Sequence, residues 1–200
     1  MADGEGLVMW ESEEFGSEHE GRPGVLLVDG SEPGPVLFDA GSGPSVHRSR
    51  DWWVYDGTLG APSATELRGA CSCGWRGVTA YLIEWDAVDR RRPYLADTSG
   101  PEADWESHIA DVLSRAVPVP ADLTSLLDQI EARLATLVAD EPLAALRAAA
   151  ALERLTQRVA ADAAFSIDTV DGPRWSTVAR ALGISERAAR SRMTRYVHRR

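Results

Sequence analysis

The pattern of hydrophobic and polar positions changes near residue 120, from short apolar runs to long helical stripes. Gly, Pro and Asp bound the short runs, which is typical of strands. Five strands are predicted in this way, at 25–28, 36–38, 52–55, 67–72 and 78–85. The first two predict either a hairpin or two edge strands, and Asp56-Gly57 predicts a turn after the third. We therefore expect a small β domain in this part of the chain.

Two amphipathic helices are predicted after a proline-rich boundary at 118–120, because apolar residues recur there every three or four positions. The first covers 122–138 with Asp122 as its N-terminal cap, and a break at 140–142 separates it from the second, over 142–164. Helices joined this closely form an antiparallel hairpin. Its wide leucine-rich face is expected either to pack on the C-terminal helices or to form the interface of a homodimer.

The C-terminal stretch, 174–197, predicts two short helices joined by a tight turn. Gly183 can take the left-handed conformation that such a turn needs, and Ser185 can cap the second helix, over 185–197. Inward positions recur at helical spacing on both helices, at Val178, Ala179, Leu182, Ala188, Ala189, Met193 and Tyr196. This pattern indicates a helix-turn-helix.

Charge distinguishes this C-terminal stretch from the rest of the chain. The protein has a formal net charge of -10, yet residues 174–200 contain eight arginines and one acid. In a DNA-binding helix-turn-helix the second helix lies in the major groove, and further cations contact phosphates. We therefore predict binding to double-stranded DNA. The predicted base-reading positions are Glu186, Arg187, Arg190, Ser191 and Thr194, and the predicted phosphate contacts are Arg174, Arg180, Arg195, Arg199 and Arg200. Ser185, at the start of the second helix, is included among the predicted DNA-binding residues.

The same stretch resembles the helix-turn-helix of many actinobacterial transcriptional regulators, in which Trp opens the first helix and Ala-Leu-Gly-(Val or Ile)-Ser-x-x-Ala-Ala follows. The matching residues are Trp175, Ala181, Leu182, Gly183, Ile184, Ser185, Ala188 and Ala189. The resemblance implies a transcriptional regulator that reads the major groove with its second helix. The chain departs from the family pattern at 165–173, which separates the supporting helix from Trp175.

An arginine-rich amphipathic helix also has a second interpretation, as a docking surface for an acidic partner. The chain would then be a protein-protein interaction module or adaptor. Salt dependence distinguishes the two, because binding to DNA weakens steeply with salt as phosphate counterions are released.

The first 24 residues form an acidic, glycine-containing segment. Such a segment offers little apolar surface to offset the entropy of ordering it, so we predict a mostly disordered arm over 1–24. The arm is interpreted either as a solubilising tail or as a competitor of DNA for the arginine-rich helix.

Both cysteines lie close together, in Cys71-Ser72-Cys73-Gly74-Trp75. A disulfide across one residue would be strained, whereas two thiolates at this spacing can supply half of a tetrahedral zinc (Zn2+) site. His108 is the predicted third ligand, and His47 is the next candidate. The alternative is that both thiols are small buried core groups, with the histidine capping a helix or lying at the surface.

The cysteine element looks like the Cys-x-Cys-Gly-Trp element that precedes a Trp-x-x-His helix in small actinobacterial proteins, with Trp105 and His108 in those places here. The run from Trp53 through Tyr81 to His108 also resembles actinobacterial proteins of similar length with the same C-terminal motif. This resemblance implies the order of the domains and gives no indication of an activity. The predicted fold class is α+β, with a small tryptophan-rich β domain over 25–117 and a helical domain over 121–200.

Composition and missing motifs narrow the class of protein further. At 44% hydrophobic and 26% charged residues the chain is typical of soluble proteins, and it shows neither a membrane-length apolar run nor a secretory signal. A cytoplasmic location is therefore expected. Because phosphate-binding Gly-rich loops, His-Glu-x-x-His and Gly-x-Ser-x-Gly are all missing, an enzyme is not expected. A zinc-dependent enzyme at Cys71, Cys73 and His108 is the remaining catalytic alternative.

Overall fold

The computed structural model describes residues 9–39, 46–168 and 174–198. The chain divides into two compact units, Met1–Ser114 and Arg115–Arg200. The first unit contains the described strands, and the second is built from helices. The fold class is α+β, as predicted.

Two small antiparallel sheets form the first unit. In the three-stranded sheet, β4 (Ala64–Cys71) lies between β1 (Gly21–Leu27) and β5 (Tyr81–Leu82). The second sheet pairs β2 (Val36–Asp39) with β3 (Val46–Ser49). Of the two alternatives predicted for 25–28 and 36–38, the hairpin is therefore wrong, because β1 pairs with β4 and β2 pairs with β3. The alternative of two edge strands is confirmed, since β1 lies at the edge of the first sheet and β2 belongs to the two-stranded sheet.

Residues 52–55, predicted to be a strand, form the 3-10 helix Trp52–Val54 and its C-terminal cap, Tyr55. A strand would direct Trp52 and Trp53 to opposite faces. In the structure the two indoles lie edge to face at 5.9 Å, and Trp52 is 2% exposed. The main apolar core of the first unit forms around Trp52 and consists of Val25, Trp52, Tyr55, Ala64 and Leu67.

The predicted disordered arm over 1–24 is wrong for residues 9–24, which are folded against the sheet; residues 1–8 lie outside the described residues. Trp10 is buried and exchanges two backbone hydrogen bonds with Gly21, of 2.9 and 2.8 Å. A 3-10 helix, Gly16–His19, then leads into β1. The aromatic rings of Trp10 and Phe15 supply apolar contacts that the acidic composition of the segment conceals.

The helix of the first unit, α1 (Ser99–Arg115), packs against the start of β1 through Trp105. A Cβ on Gly21 would lie 2.6 Å from the Trp105 ring, so this close approach requires glycine. Trp105 and Trp10 have ring centroids 5.9 Å apart. Because His108 follows Trp105 by three residues, both side chains lie on the same side of α1, and the docking of Trp105 positions His108.

The second unit contains four described helices: α2 (Ala121–Asp140), α3 (Pro142–Asp168), α4 (Trp175–Ala181) and α5 (Glu186–His198). The first two pack on each other across a one-residue connection, and α5 contacts both α4 and α3. Asp122 does not cap α2, because Pro120 occupies the N-cap position. None of the helices in the described ranges combines the length and the hydrophobicity that crossing a bilayer requires.

Candidate metal centre and nucleic-acid interface

The two cysteines lie where β4 ends and the chain turns back. Gly74 has a φ of +103°, which an L side chain rarely adopts, and its N–H donates to the Cys71 carbonyl at 3.0 Å. The Cys71 N–H in turn donates to the Trp75 carbonyl at 3.0 Å. This tight turn brings the Cys73 side chain beside the buried Cys71.

Ser72, between the two cysteines, ties the segment carrying His19 to this turn. Its N–H donates to the Glu20 carbonyl at 2.8 Å, and its Oγ accepts from the Glu20 N–H at 3.0 Å. The same Oγ donates to the Ser17 carbonyl at 3.2 Å. These hydrogen bonds fix the 3-10 helix Gly16–His19 on the cysteine turn, and the His19 side chain is buried.

Four donor side chains meet at this point: His19, Cys71, Cys73 and His108. His19 Nδ1 lies 3.5 Å from Cys71 Sγ, and His108 Nε2 lies 3.4 Å from Cys73 Sγ. All four donor atoms lie within 4.8 Å of one another. Tetrahedral zinc with Zn–S of about 2.3 Å and Zn–N of about 2.1 Å implies S···N separations of about 3.6 Å. The cluster therefore has the donor types and spacing to hold a metal ion.

Apolar and aromatic groups surround the cluster. Trp10, Cys71 and Trp105 form a buried group, against which Cys73 and Trp75 pack. Trp75 makes two contacts to the donors, since its ring stacks on His108 and its backbone N–H donates to Cys73 Sγ at 3.4 Å. Surrounding groups of this kind limit the access of water to a metal site and orient its ligands.

The two thiols influence each other's protonation. A hydrogen bond from Cys73 holds the pKa of Cys71 well below the ordinary range of a thiol, against the opposing effect of burial, and His108 and His19 act in the same direction as Cys73. The same contact, together with burial, raises the pKa of Cys73. A divalent cation at the centre would offset the charge of both thiolates, which are the forms that bind metal.

The structure brings Cys71, Cys73 and His108 together as predicted. His47, the other candidate, is wrong as a ligand: it lies on β3 beside Phe38, with ring centroids 6.0 Å apart. Sequence reasoning missed His19 because it fell in the segment assigned to the disordered arm. The one signal in the sequence was the aromatic residue Phe15, four residues before His19. The centroid of the Phe15 ring lies 5.0 Å from that of the His19 imidazole.

The residues predicted to contact DNA lie on α4, α5 and their ends. Eight of them are exposed: Arg174, Arg180, Glu186, Arg187, Arg190, Ser191, Thr194 and Arg195. Ser185 is half-buried, and its Oγ accepts a hydrogen bond from the Ala188 N–H at 3.2 Å, as a cap for α5. Arg199 and Arg200 lie outside the described residues.

The turn between α4 and α5 is held by backbone hydrogen bonds and a small apolar core. Gly183 has a φ of +63°, and the Ile184 N–H donates to the Ala179 carbonyl at 3.0 Å. Ala179, Ile184 and Ala189 are buried together, and Ala189 is 0% exposed. The small side chains of Ala179 and Ala189 let the two helices approach closely.

Arg190 makes two contacts on the exposed surface of this helix pair. It lies 3.5 Å from the Glu186 carboxylate, one helical turn away, and its guanidinium lies 5.7 Å from the centroid of the Trp175 ring. Within the described residues, Arg187 has no ion pair. The first two arginines of α5 therefore differ, since Arg190 is oriented by neighbours and Arg187 is exposed without an ion pair among the described residues.

Comparisons of the chain with known protein families, with curated proteins and with solved structures gave no match.

Proposed function

We propose that this protein binds double-stranded DNA through α4 and α5, and that a structural zinc ion organises its first unit. The two parts of the proposal lie in separate units and have separate supports. The zinc assignment is carried by the four-donor cluster, and the DNA assignment by the turn and the outward arginines of α5.

Zinc is favoured by the chemistry of the donors. Two thiolates and two imidazoles form the Cys2His2 set that zinc prefers in tetrahedral sites, whereas magnesium and calcium prefer oxygen donors. Four protein ligands fill a tetrahedral shell, so no position remains for a substrate or a reactive water. This supports a structural role over the alternative of a zinc-dependent enzyme, which needs an open coordination position.

Metal analysis of the purified full-length protein tests the zinc site. We expect one zinc per chain, and a substituting Co2+ ion should give the intense visible absorption of a tetrahedral thiolate site. Cys73→Ser and His19→Ala should each lose the metal, while His47→Ala, a histidine outside the cluster, should keep it. A protein without stoichiometric metal after growth in zinc-containing medium, and without uptake of Co2+, would rule out this assignment.

DNA binding is supported by the combination of a buried turn and a basic exterior. A short helix, a turn at a left-handed glycine and a second helix form the arrangement of a helix-turn-helix, in which the second helix enters the major groove. Here α5 buries Ala189 and Met193 and exposes Arg187, Ser191 and Thr194. These outward side chains belong to the part of the helix that would meet base edges.

Selection from a pool of genomic duplex fragments tests DNA binding. The wild-type protein should enrich particular fragments, and Arg187→Ala should abolish that enrichment while circular dichroism shows unchanged helix content. The double variant Arg90→Ala/Arg91→Ala is a matched control, because it removes two exposed arginines of the first unit. We expect apparent affinity to fall steeply between about 50 and 200 mM salt, as phosphate counterions are released.

A docking surface for an acidic protein partner is the competing interpretation of α5. It predicts that fragments of every sequence bind equally weakly and that Arg187→Ala leaves the selection unchanged. That result would reject the DNA proposal and leave the zinc proposal unaffected.

A further inference from the structure

The helical pair α2 and α3 carries far more exposed apolar surface than its own packing covers. All of α2 lies within the described residues, and none of its 20 residues is buried. A helix gains most of its stability by burying an apolar face, because intrinsic propensity alone is marginal. Within the described chain, the apolar face of α2 therefore remains largely exposed to solvent.

One group of exposed side chains, which we call the hairpin patch, lies at the end of this pair away from the connecting residue Glu141. Its α2 members fall on one stripe at spacings of three and four. In the antiparallel hairpin expected from so short a connection, residues equally far from Glu141 lie side by side, which pairs Leu127 with Leu155 and Leu123 with Val159. The hairpin patch consists of Leu123, Leu126, Leu127, Ile130, Leu155 and Val159, with exposed fractions between 38% and 59%.

The size of the hairpin patch matches what a stable homodimer buries. Six large aliphatic residues exposed by about half contribute on the order of 500 Å² of apolar surface, near the upper end for a single patch on a monomer. A standard interface buries about 800 Å² per partner, of which roughly 65% is apolar in homodimers, or about 520 Å².

Charge on the two helices also favours this arrangement. Helix α2 carries four acids and one arginine, a net charge of -3. Helix α3 has no net charge, because its three arginines, Arg147, Arg154 and Arg158, are balanced by three acids, Glu153, Asp162 and Asp168. Packing α2 against the partner's α3 therefore avoids the repulsion that two α2 helices in contact would create, and a two-fold axis makes that contact twice.

We infer that the hairpin patch is the interface of a homodimer, in which α2 of each protomer packs against the partner's α3. Two such pairs form a four-helix arrangement around a shared aliphatic core. A second copy of this chain is the occupant that satisfies both the apolar area and the charge pattern. This inference is independent of the zinc and DNA proposals, since none of its residues belongs to either site.

Sedimentation equilibrium of the full-length protein tests the interface. One chain has a mass of 21.7 kDa, so the dimer mass is 2 × 21.7 = 43.4 kDa. We expect the dimer mass for the wild type at about 10 µM and for Leu59→Glu, a matched control at a 99% exposed leucine in the first unit. Leu127→Glu and Leu155→Glu should each raise the dimer Kd by roughly 100-fold or more and sediment as folded monomers.

Two outcomes overturn the inference: a monomeric wild type at about 100 µM, or dimers that persist in both patch variants with unchanged Kd. The first would instead point to a different protein as the occupant. Should a glutamate variant lose helix content, Leu126→Gln provides the same test with a milder change, because Leu126 is 53% exposed and its replacement disturbs little packing within the chain.

Discussion

The imidazole of His108 lies flat against the indole of Trp75, with ring centroids 4.4 Å apart and 7° between the ring planes. This stacking fixes the plane of the imidazole, so that Nε2 is held 3.4 Å from Cys73 Sγ. The backbone N–H of Trp75 also donates to the same sulfur. Trp75 thus orients two of the four candidate metal ligands, His108 and Cys73, without being a ligand itself.

Replacing Trp75 with Ala should weaken zinc binding by roughly 10- to 100-fold, because partners that orient ligands typically contribute that much to metal affinity. The stoichiometry should stay at one zinc per chain, since all four donors remain. Competition against a zinc-sensitive chelator dye measures the affinity, and Trp75→Phe, which keeps a stacking ring, should lose less. Equal zinc affinity in Trp75→Ala and the wild type would show that the stacking has no role in ligand orientation.

Removal of the metal should destabilise the first unit and leave the helices of the second unit largely folded. A structural zinc contributes to the free energy of unfolding of the unit that holds it. Tryptophan fluorescence can follow this change selectively, because six of the seven tryptophans precede residue 115 and only Trp175 lies beyond it. Chelation should shift the fluorescence melting curve to lower temperature, with most of the α-helical circular dichroism retained, and added zinc should reverse the shift.

If the chelated protein melts at the temperature of the zinc-loaded form, the four side chains contribute to the core without a metal. The variant His19→Ala separates the two cases further. It should melt like the chelated wild type and show no response to added zinc.

Glu32 connects two arginines of the first unit, because its Oε1 accepts hydrogen bonds from Arg68 and from Arg76, the latter at 2.7 Å. Partial burial acts to raise the pKa of Glu32, but the hydrogen bonds and charges of Arg68 and Arg76 outweigh it, so the pKa lies below its ordinary value. A carboxyl whose folded pKa is depressed stabilises the fold above its unfolded pKa, and that contribution is lost as pH falls through the folded pKa.

Glu32→Gln should therefore lower the free energy of unfolding at pH 7 by about 1 kcal/mol, a value kept small by solvent screening. The difference from the wild type should narrow as pH falls below about 4.3, the unfolded pKa of Glu. Urea titrations at several pH values, followed by tryptophan fluorescence, measure this trend. Asp89→Asn, which breaks the more exposed pair with Arg92, is the control and should change little. A difference that stays constant from neutral to acid pH would contradict the ion-pair explanation.

Gly21 is the contact point between β1 and α1, and it should tolerate no larger residue. A Cβ there would lie 2.6 Å from the Trp105 ring and 2.7 Å from Trp10, both of them buried. Gly21→Ala should therefore cost about 1–3 kcal/mol through overpacking, and it should weaken zinc binding because α1 carries His108. Gly34→Ala is the matched control, since a Cβ at Gly34 meets nothing within 4 Å. Comparable urea midpoints and zinc affinities for the two variants would show that α1 is not held by this contact.

The features that the sequence predicts well are those that depend on local spacing. The leucine stripes over 122–138 and 142–164 predict α2 and α3, because a helix brings residues three and four apart onto one face. Likewise, the cysteine pair and its glycine predict a donor-bearing turn. The start of α5 follows from the cap at Ser185 and the glycine before it.

The features that sequence reasoning misses depend on distant partners. The pairing of β1 with β4 brings Gly21 opposite Cys71, and short apolar runs do not specify which strand they will join. His19 has no ligand motif around it; it becomes a donor only because Ser72 binds the backbone on both sides of it. The acidic composition of residues 9–24 also predicts disorder. Trp10 and Phe15 are the residues in this segment that indicate a folded structure.

The four donors of the candidate metal site leave the ribosome at different times. His19 and Cys71 are 52 positions apart, and Cys73 and His108 are 35 positions apart. A nascent chain that stops before α1 has the first three donors but lacks both His108 and the Trp105 ring that packs on Gly21. The site can therefore be completed only after His108 has been synthesised, and a chain that ends before α1 lacks both this donor and the Trp105 ring that packs with Cys71.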